Sequence, residues 1–465
     1  MTVKQTLAEI IAVLDNEDVR EVAKVRDADN KSALYWTVNI MKEVAKDMGC
    51  HFSERSGVLY VYTGTHWQSV EQEEMKRFLS DVSVVLGRRV EDARNYRFME
   101  DLLRQFRSSM DYVFPERTPG KVLVNLRNGT YEIYGGRHCL RNAAPEDFLT
   151  YRLDFDYDPD AEAPLFGKFL DRVLPDRGCQ NVLAEYMGYV FAKRMRLEKM
   201  LILYGSGANG KSVFFDIVRA VLGESNVSEY TLQELTKESG YSRAELQDVL
   251  LNYSSEINGR MDTSIFKMLS SGEPVSARRI YGRPFIMCDY ARLAFNCNEL
   301  PSDIEYTDAF FRRFIIIPFN ETIPVEERDP DLSRKITGSE LSGVFNWILG
   351  GLDRLMRQGR FSDSELVKEQ EERFRMDCDS VYSFIKFKQY VPSESKQELL
   401  KSLHNEYSDY CRDALGCTPV IDRNLAKRLR SMGFKMGTRA SSGTVIMIEK
   451  RTSDGDTKAV EAKSS

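Results

Sequence analysis

The chain of 465 residues is too long for one ordinary core and is expected to hold about three modules. With 42% apolar and 29% charged residues, and with apolar runs such as FIIIPF far short of a bilayer span, it reads as a soluble globular protein and not a membrane protein. A net charge of -6 argues against a protein that coats duplex DNA through bulk charge, so any nucleic-acid contact must be local.

In chain order, residues 1–30 read as an acidic helical extension. The start, MTVKQTLAEIIAVLDNEDVR, has no basic opening and no small-residue cleavage site, so no signal peptide is expected and a cytoplasmic location follows. Residues 31–165 mix helical spacing with short strands around Gly turns, as in GVLYVYTGTHWQSV and VLVNLRNGTYEI, which suggests a small α+β module. Residues 166–198 are helical. From 199 to 320, apolar strands (MLILY, DVLLNYSS, ARLAFNC, FIIIPF) alternate with helical stretches, the pattern of a largely parallel sheet flanked by helices. Residues 321–378 continue as a helical subdomain and a charged connector. Helix, helix and strand then fill 379–451, the size of a winged helix, and the polar tail 452–465 is expected to be disordered. Eight cysteines without a C-x-x-C pair, beside four histidines, suggest neither a zinc ribbon nor a disulfide framework.

The strongest motif is GSGANGKS, residues 205–212, which fits G-x-x-x-x-G-K-[ST] between a strand and an amphipathic helix. Gly205, Ser206, Gly207, Ala208, Asn209, Gly210 and Val213 are the expected cradle for phosphates. Lys211 would neutralise the β and γ phosphates, and Ser212 would ligate Mg²⁺. A phosphate site also needs an acid for metal and water, and Glu256, just past an apolar strand, is the candidate. Asn298, at the end of ARLAFNCNELP, could orient the attacking water. Arg312 and Arg313, in DAFFRRFIIIPF, are either strand-edge solubility charges or a finger that stabilises transition-state charge at a neighbour's ATP. Between acid and Asn298, VSARRIYGRPF reads as two short strands around a Tyr-Gly turn. Arg278, Arg279 and Arg283 can pair with phosphates there, and Tyr281 can stack on a base without regard to its identity. Lys267, in FKMLSSGEP, joins this candidate DNA-binding set. In the last module Arg423, Lys427, Arg428 and Arg430 lie on one helix. Residues 380–451 carry 13 Lys/Arg against 7 Asp/Glu, so this basic helix reads as a duplex or a protein contact.

The ordered set GSGANGKS, LNYSSEIN, FKMLSSGEPVSARRIYGRPF, LAFNCNELP and FFRRFIIIPF resembles motifs A, B, B-prime, C and the arginine finger of superfamily 3 helicases. More narrowly, it resembles the helicase half of phage, plasmid and poxvirus primase-helicases, and the likeness runs over about residues 55–450. The resemblance implies an α/β, AAA+ P-loop core with a mixed α+β N-terminal domain and a C-terminal winged helix. It implies ATP and Mg²⁺ as cofactors and a ring, usually a hexamer, that threads single-stranded DNA 3′→5′. Lys211 and Ser212 then match motif A, Glu256 motif B, Asn298 motif C, and Arg312 with Arg313 the finger position, without saying which of the two acts in trans. Ser255 stands where motif B often has a second acid. No primase domain is evident, so a separate primase or replication protein is a possible partner, beside single-stranded DNA and possible duplex origin DNA, and no membrane is expected. For a phage-encoded chain the compartment would be the host cytoplasm. Two competing readings stay open: an origin-binding initiator that melts DNA without processive unwinding, and a regulatory ATPase whose last module binds protein.

Overall fold

The computed structural model describes residues 2–16, 25–26, 28–110, 118–255, 257, 261–298, 307–439 and 443–451. Glu256 and the tail 452–465, both named above, lie outside the described residues.

The N-terminal part is built on local signals. Asp29 caps the helix Asn30–Asp47, its Oδ1 accepting from Ser32 N at 2.7 Å. Strands β1 (His51–Arg55), β2 (Val58–Tyr62) and β3 (Trp67–Val70) form an antiparallel meander. The turn between the first two is Ser56-Gly57, both with positive φ, as a tight right-twisted hairpin requires. Helices Gln72–Val85 and Tyr96–Ser108 pack over it, burying Phe78, Leu79 and Phe106. The helix Val3–Asn16 inserts Leu7, Ile10 and Leu14 into this same core, so that part of the acidic extension is integral to the module. A second meander follows, β4 (Val122–Leu126), β5 (Gly129–Tyr134) and β6 (Arg137–Arg141).

Helices Pro164–Val173 and Arg177–Tyr189 lead into the central sheet and share one core with the helix Leu341–Gln358. The sheet comprises β7 (Met200–Tyr204), β8 (Val227–Ser228), β9 (Leu251–Ser254), β12 (Arg292–Cys297) and β13 (Phe314–Pro318), ordered β13-β7-β12-β9-β8, with every neighbouring pair parallel. Its inner strands are buried almost without a break, as a parallel sheet covered on both faces demands. Between β9 and β12 an antiparallel hairpin stands apart, β10 (Val275–Arg278) with β11 (Pro284–Met287).

Two elements differ from the expectations. The charged stretch after residue 360 is no loose connector: helix Glu365–Cys378 buries Val367, Gln370 and Phe374, and the Phe374 ring meets Phe311 and Phe314 at 5.6 and 5.4 Å. Its dense charge on the outer face hides a narrow apolar stripe. In the last module, helices Ser380–Phe387, Leu400–Tyr410 and Asp422–Ser431 surround a three-stranded sheet, β14 (Tyr390–Leu399), β16 (Gly443–Lys450) and β15 (Met436–Arg439). Only β16 is evident in the sequence, because β14 is polar along most of its length and bulges between Pro392 and Gln397.

Candidate functional site

The glycine loop joins the C-terminal end of β7 to the helix Lys211–Leu222. Its root is tied to both flanking strands: Gly205 N donates to Cys297 O at 3.1 Å, and Phe319 N donates to Tyr204 O at 2.7 Å. A Cβ at Gly205 would lie 2.4 Å from Phe319 O, and one at Gly210, whose φ is +85°, would lie 2.7 Å from Val173 Cγ1. Both positions therefore accept only glycine.

Asn209, expected as part of the phosphate cradle, holds the loop through its side chain. Its buried side chain donates Nδ2 to Phe319 O at 2.8 Å and accepts Lys211 Nζ at Oδ1, 3.1 Å away. Lys211 Nζ also donates to Gly205 O at 2.6 Å. Burial pulls the Lys211 pKa below the ordinary lysine value. An ammonium held by two neutral oxygens would gain from exchanging them for phosphate oxygens. Ser206, Ala208 and Ser212 are exposed around it, with Val213 half-buried behind. Backbone N–H groups at a helix N-terminus, a buried lysine and an exposed hydroxyl fit a magnesium nucleoside triphosphate. Among the described residues no cluster of three His, Cys, Asp or Glu could hold a metal unaided.

The neighbouring strands bring the other candidates in part. Pairing of Cys297 with Tyr204 puts exposed Asn298 level with Gly205, the first residue of the loop. Two residues earlier, Asn296 is buried and accepts the Tyr253 hydroxyl at 2.9 Å, a tie between β12 and β9. Sequence reasoning missed this pair. Its signal was an Asn spaced by two from Asn298 within an apolar strand.

Arg312 and Arg313 diverge completely. Arg313 is buried, bonded to Ala309 O and, at 3.1 Å, to Ser271 Oγ, whereas the Arg312 side chain is 62% exposed. Both meet Glu198, Arg312 at 2.8 Å and Arg313 at 3.3 Å. These residues sit at the N-terminal edge of the sheet, since Phe314 of β13 pairs with Met200 of β7. The glycine loop lies at the opposite edge.

At the hairpin, Val275, Ala277 and Met287 face the core. The tip carries Tyr281, fully exposed with φ +60°, beside exposed Ile280 and Arg283. Arg278 and Arg279 shape the hairpin itself. Arg278 Nε donates to Gly282 O at 3.0 Å, while Arg279 lies 5.1 Å from the Phe285 ring and donates to Gln247 Oε1 at 3.2 Å. Lys267 is half-buried on the helix Thr263–Ser271 that leads to β10.

In the last module Arg423, Lys427 and Arg430 are exposed on one helix. Arg428 turns inward to Asp379, NH1 to Oδ1 3.1 Å, and Asp379 is itself the buried cap of the helix Ser380–Phe387. Of the four basic residues expected to face a ligand, Arg428 therefore has a structural partner.

Comparison with known proteins agrees with this architecture. The family model described as D5 N terminal like matches residues 39–175, and a family of unknown function, DUF5906, matches 203–313. “Putative helicase L207/L206” of Acanthamoeba polyphaga mimivirus is 24% identical over 295 residues, covering 57% of this chain and 30% of the relative. “Putative helicase 184R” of Invertebrate iridescent virus 6 is 25% identical over 334 residues, covering 63% of this chain and 32% of the relative. The chain thus spans about a third of the length of these curated relatives. Among solved structures, the apo structure of the NrS-1 C terminal region (305-718) shares the fold, with a TM-score of 0.51 at 13% identity, over 89% of this chain and 98% of that one. The chain is thus similar, over part of its length, to viral proteins named putative helicases and to the family model described as D5 N terminal like.

Proposed function

We propose that this chain is an ATP-dependent replicative DNA helicase that translocates 3′→5′ on single-stranded DNA as a ring, a hexamer, hydrolysing ATP between subunits. The observation that carries this reading is the separation of its two charged devices. Lys211 lies past the C-terminal end of β7 and Arg312 lies level with its N-terminal end, and the five residues of β7 put about 16 Å between those levels. Arg312 cannot reach the phosphates held by its own loop. A neighbouring subunit can supply the missing cation, which gives the chain a reason to assemble.

When bound, magnesium supplies charge neutralisation to the phosphates. Lys211 would add its ammonium, the loop N–H groups would orient the phosphates, and Ser212 would ligate the metal. Asn298 would orient water from the end of β12, and Glu256 is proposed as the acid that activates it. Arg312, and not the buried Arg313, would be the finger. Tyr281 and Arg283, at a tip that no element covers among the described residues, would grip the DNA strand by stacking and phosphate pairing, with Lys267, Arg278 and Arg279 behind them. The sheet, with its P-loop strand between the strands of Asn298 and Arg312, supports an AAA+ core. The last module supports a winged helix that presents Arg423, Lys427 and Arg430.

The deciding experiment is ATP turnover with and without single-stranded DNA for the wild type, Lys211→Ala and Tyr281→Ala/Arg283→Ala. The helicase reading expects stimulation by DNA, no turnover in the first variant, and loss of stimulation alone in the second. Turnover indifferent to single-stranded DNA would favour the initiator reading, for which the exposed basic helix of the last module is the supporting observation.

A further inference from the structure

Glu198 occupies an unusual place. It stands two residues before β7 with φ +54°, a left-handed conformation that a non-glycine residue keeps only where its surroundings impose it. One carboxylate oxygen, Oε2, meets two guanidinium groups of opposite character. On one side Arg313 is anchored: its side chain is bonded to Ala309 O and Ser271 Oγ, and its carbonyl accepts from Met200 N at 2.8 Å. On the other side Arg312 projects toward solvent. The short helix Asp308–Phe311 that delivers both arginines is braced from behind by Arg375, whose guanidinium pairs with Asp308 at 2.5 Å and stands over the Phe311 ring at 5.5 Å.

Glu198 is 38% exposed, and ion pairs with that much water access contribute little to stability. Its value lies in direction. A charge-assisted bond from a carboxylate pinned by a fixed neighbour limits the orientations of an otherwise free arginine, and so reduces the ordering that Arg312 must undergo when a phosphate arrives.

We propose that Glu198 is a positioning residue that aims Arg312 at the nucleotide of the adjacent subunit, with buried Arg313 as its fixed abutment. This rests on the interfacial reading of Arg312 given above. Glu198 touches no substrate and acts through Arg312.

The test is steady-state ATP turnover by the full chain with magnesium and single-stranded DNA, comparing wild type, Glu198→Gln, Arg312→Ala and the double variant. Glu198→Gln is expected to lower kcat about tenfold, with KM for ATP within about twofold and an unchanged melting temperature. The double variant is expected to turn over no more slowly than Arg312→Ala, because a residue that acts through Arg312 has nothing left to position. Wild-type or faster turnover by Glu198→Gln, or multiplied losses in the double variant, would overturn the proposal. If Glu198→Gln melts early, Glu198→Asp replaces it in the same cycle, with the same non-additivity expected. Mixing Arg312→Ala with Lys211→Ala subunits separates the two levels of the argument. Activity restored by mixing, beside a normal Glu198→Gln, removes only the role of Glu198; no restoration removes the interfacial reading and the proposal with it.

Discussion

Asn209 Oδ1 accepts the Lys211 ammonium at 3.1 Å while Asn209 Nδ2 donates to Phe319 O, so one buried amide links the lysine of the glycine loop to the residue that follows β13. The chain's own side chains thereby hold the loop in shape. Asn209→Ala should loosen it and leave Phe319 O without its side-chain donor. We expect KM for ATP to rise about tenfold with a melting temperature a few degrees lower, about 1–2 kcal/mol of stability. Nucleotide titration and thermal melts check this, and an unchanged KM would show that the motif's backbone alone sets the loop.

Tyr281 is an aromatic ring with no packing to lose. If single-stranded DNA stacks on it, Tyr281→Ala should weaken binding by about 1–3 kcal/mol, similarly for every base composition, and leave the melting temperature unchanged. Fluorescence anisotropy with homopolymer strands measures it. Equal affinity for wild type and variant would remove the tip from the DNA path.

Arg428 and Lys427 are neighbours with opposite tasks. Arg428→Ala should cost the last module about 2 kcal/mol, because Asp379 is buried and keeps only its two backbone donors, Val381 N and Tyr382 N. Lys427→Ala should leave stability alone and reduce binding of duplex DNA with a shallower salt dependence. A salt titration of binding, paired with melting curves, separates the two. Duplex affinity unaffected by Lys427→Ala together with Arg430→Ala would turn attention to a protein ligand for this helix.

His66 supplies a pH dependence. Burial, then the nearby Arg152 charge, depresses its pKa from 6.5 to about 4. The folded state therefore resists a proton that the unfolded chain takes up, so stability is highest above pH 6.5 and falls as pH drops from there toward 4. With two Nδ1 and Nε2 contacts, to Thr65 Oγ1 and Gln68 Nε2, the neutral ring is the one the site accommodates. Its share of the loss should be about 2 kcal/mol, reduced from the full shift because the residue is not fully buried. His51, also depressed by burial, adds loss of the same sign. Melting temperatures of wild type and His66→Gln across pH 4–7 check the window: the variant's curve should be flatter.

Chain-local requirements were legible in the residues alone. A tight loop with no room for a Cβ needs glycine at fixed spacing, and Gly205 and Gly210 supply it; a continuous apolar run such as FIIIPF announces a buried strand; the Tyr-Gly turn announces the hairpin. Contacts between distant segments were not legible. Arg312 and Arg313 are chemically identical and adjacent, yet the turn from helix Asp308–Phe311 into β13 points one outward and buries the other against Ser271. Arg428 looked like its basic neighbours until Asp379, 49 residues away, proved to be its partner. The helix Glu365–Cys378 read as a connector because one face must be charged where it meets water, and only packing on β13 reveals the other face. Local covalent geometry dictates which residues a turn or strand tolerates, whereas burial is decided by which distant surfaces meet, and that meeting assigns the role of each charge.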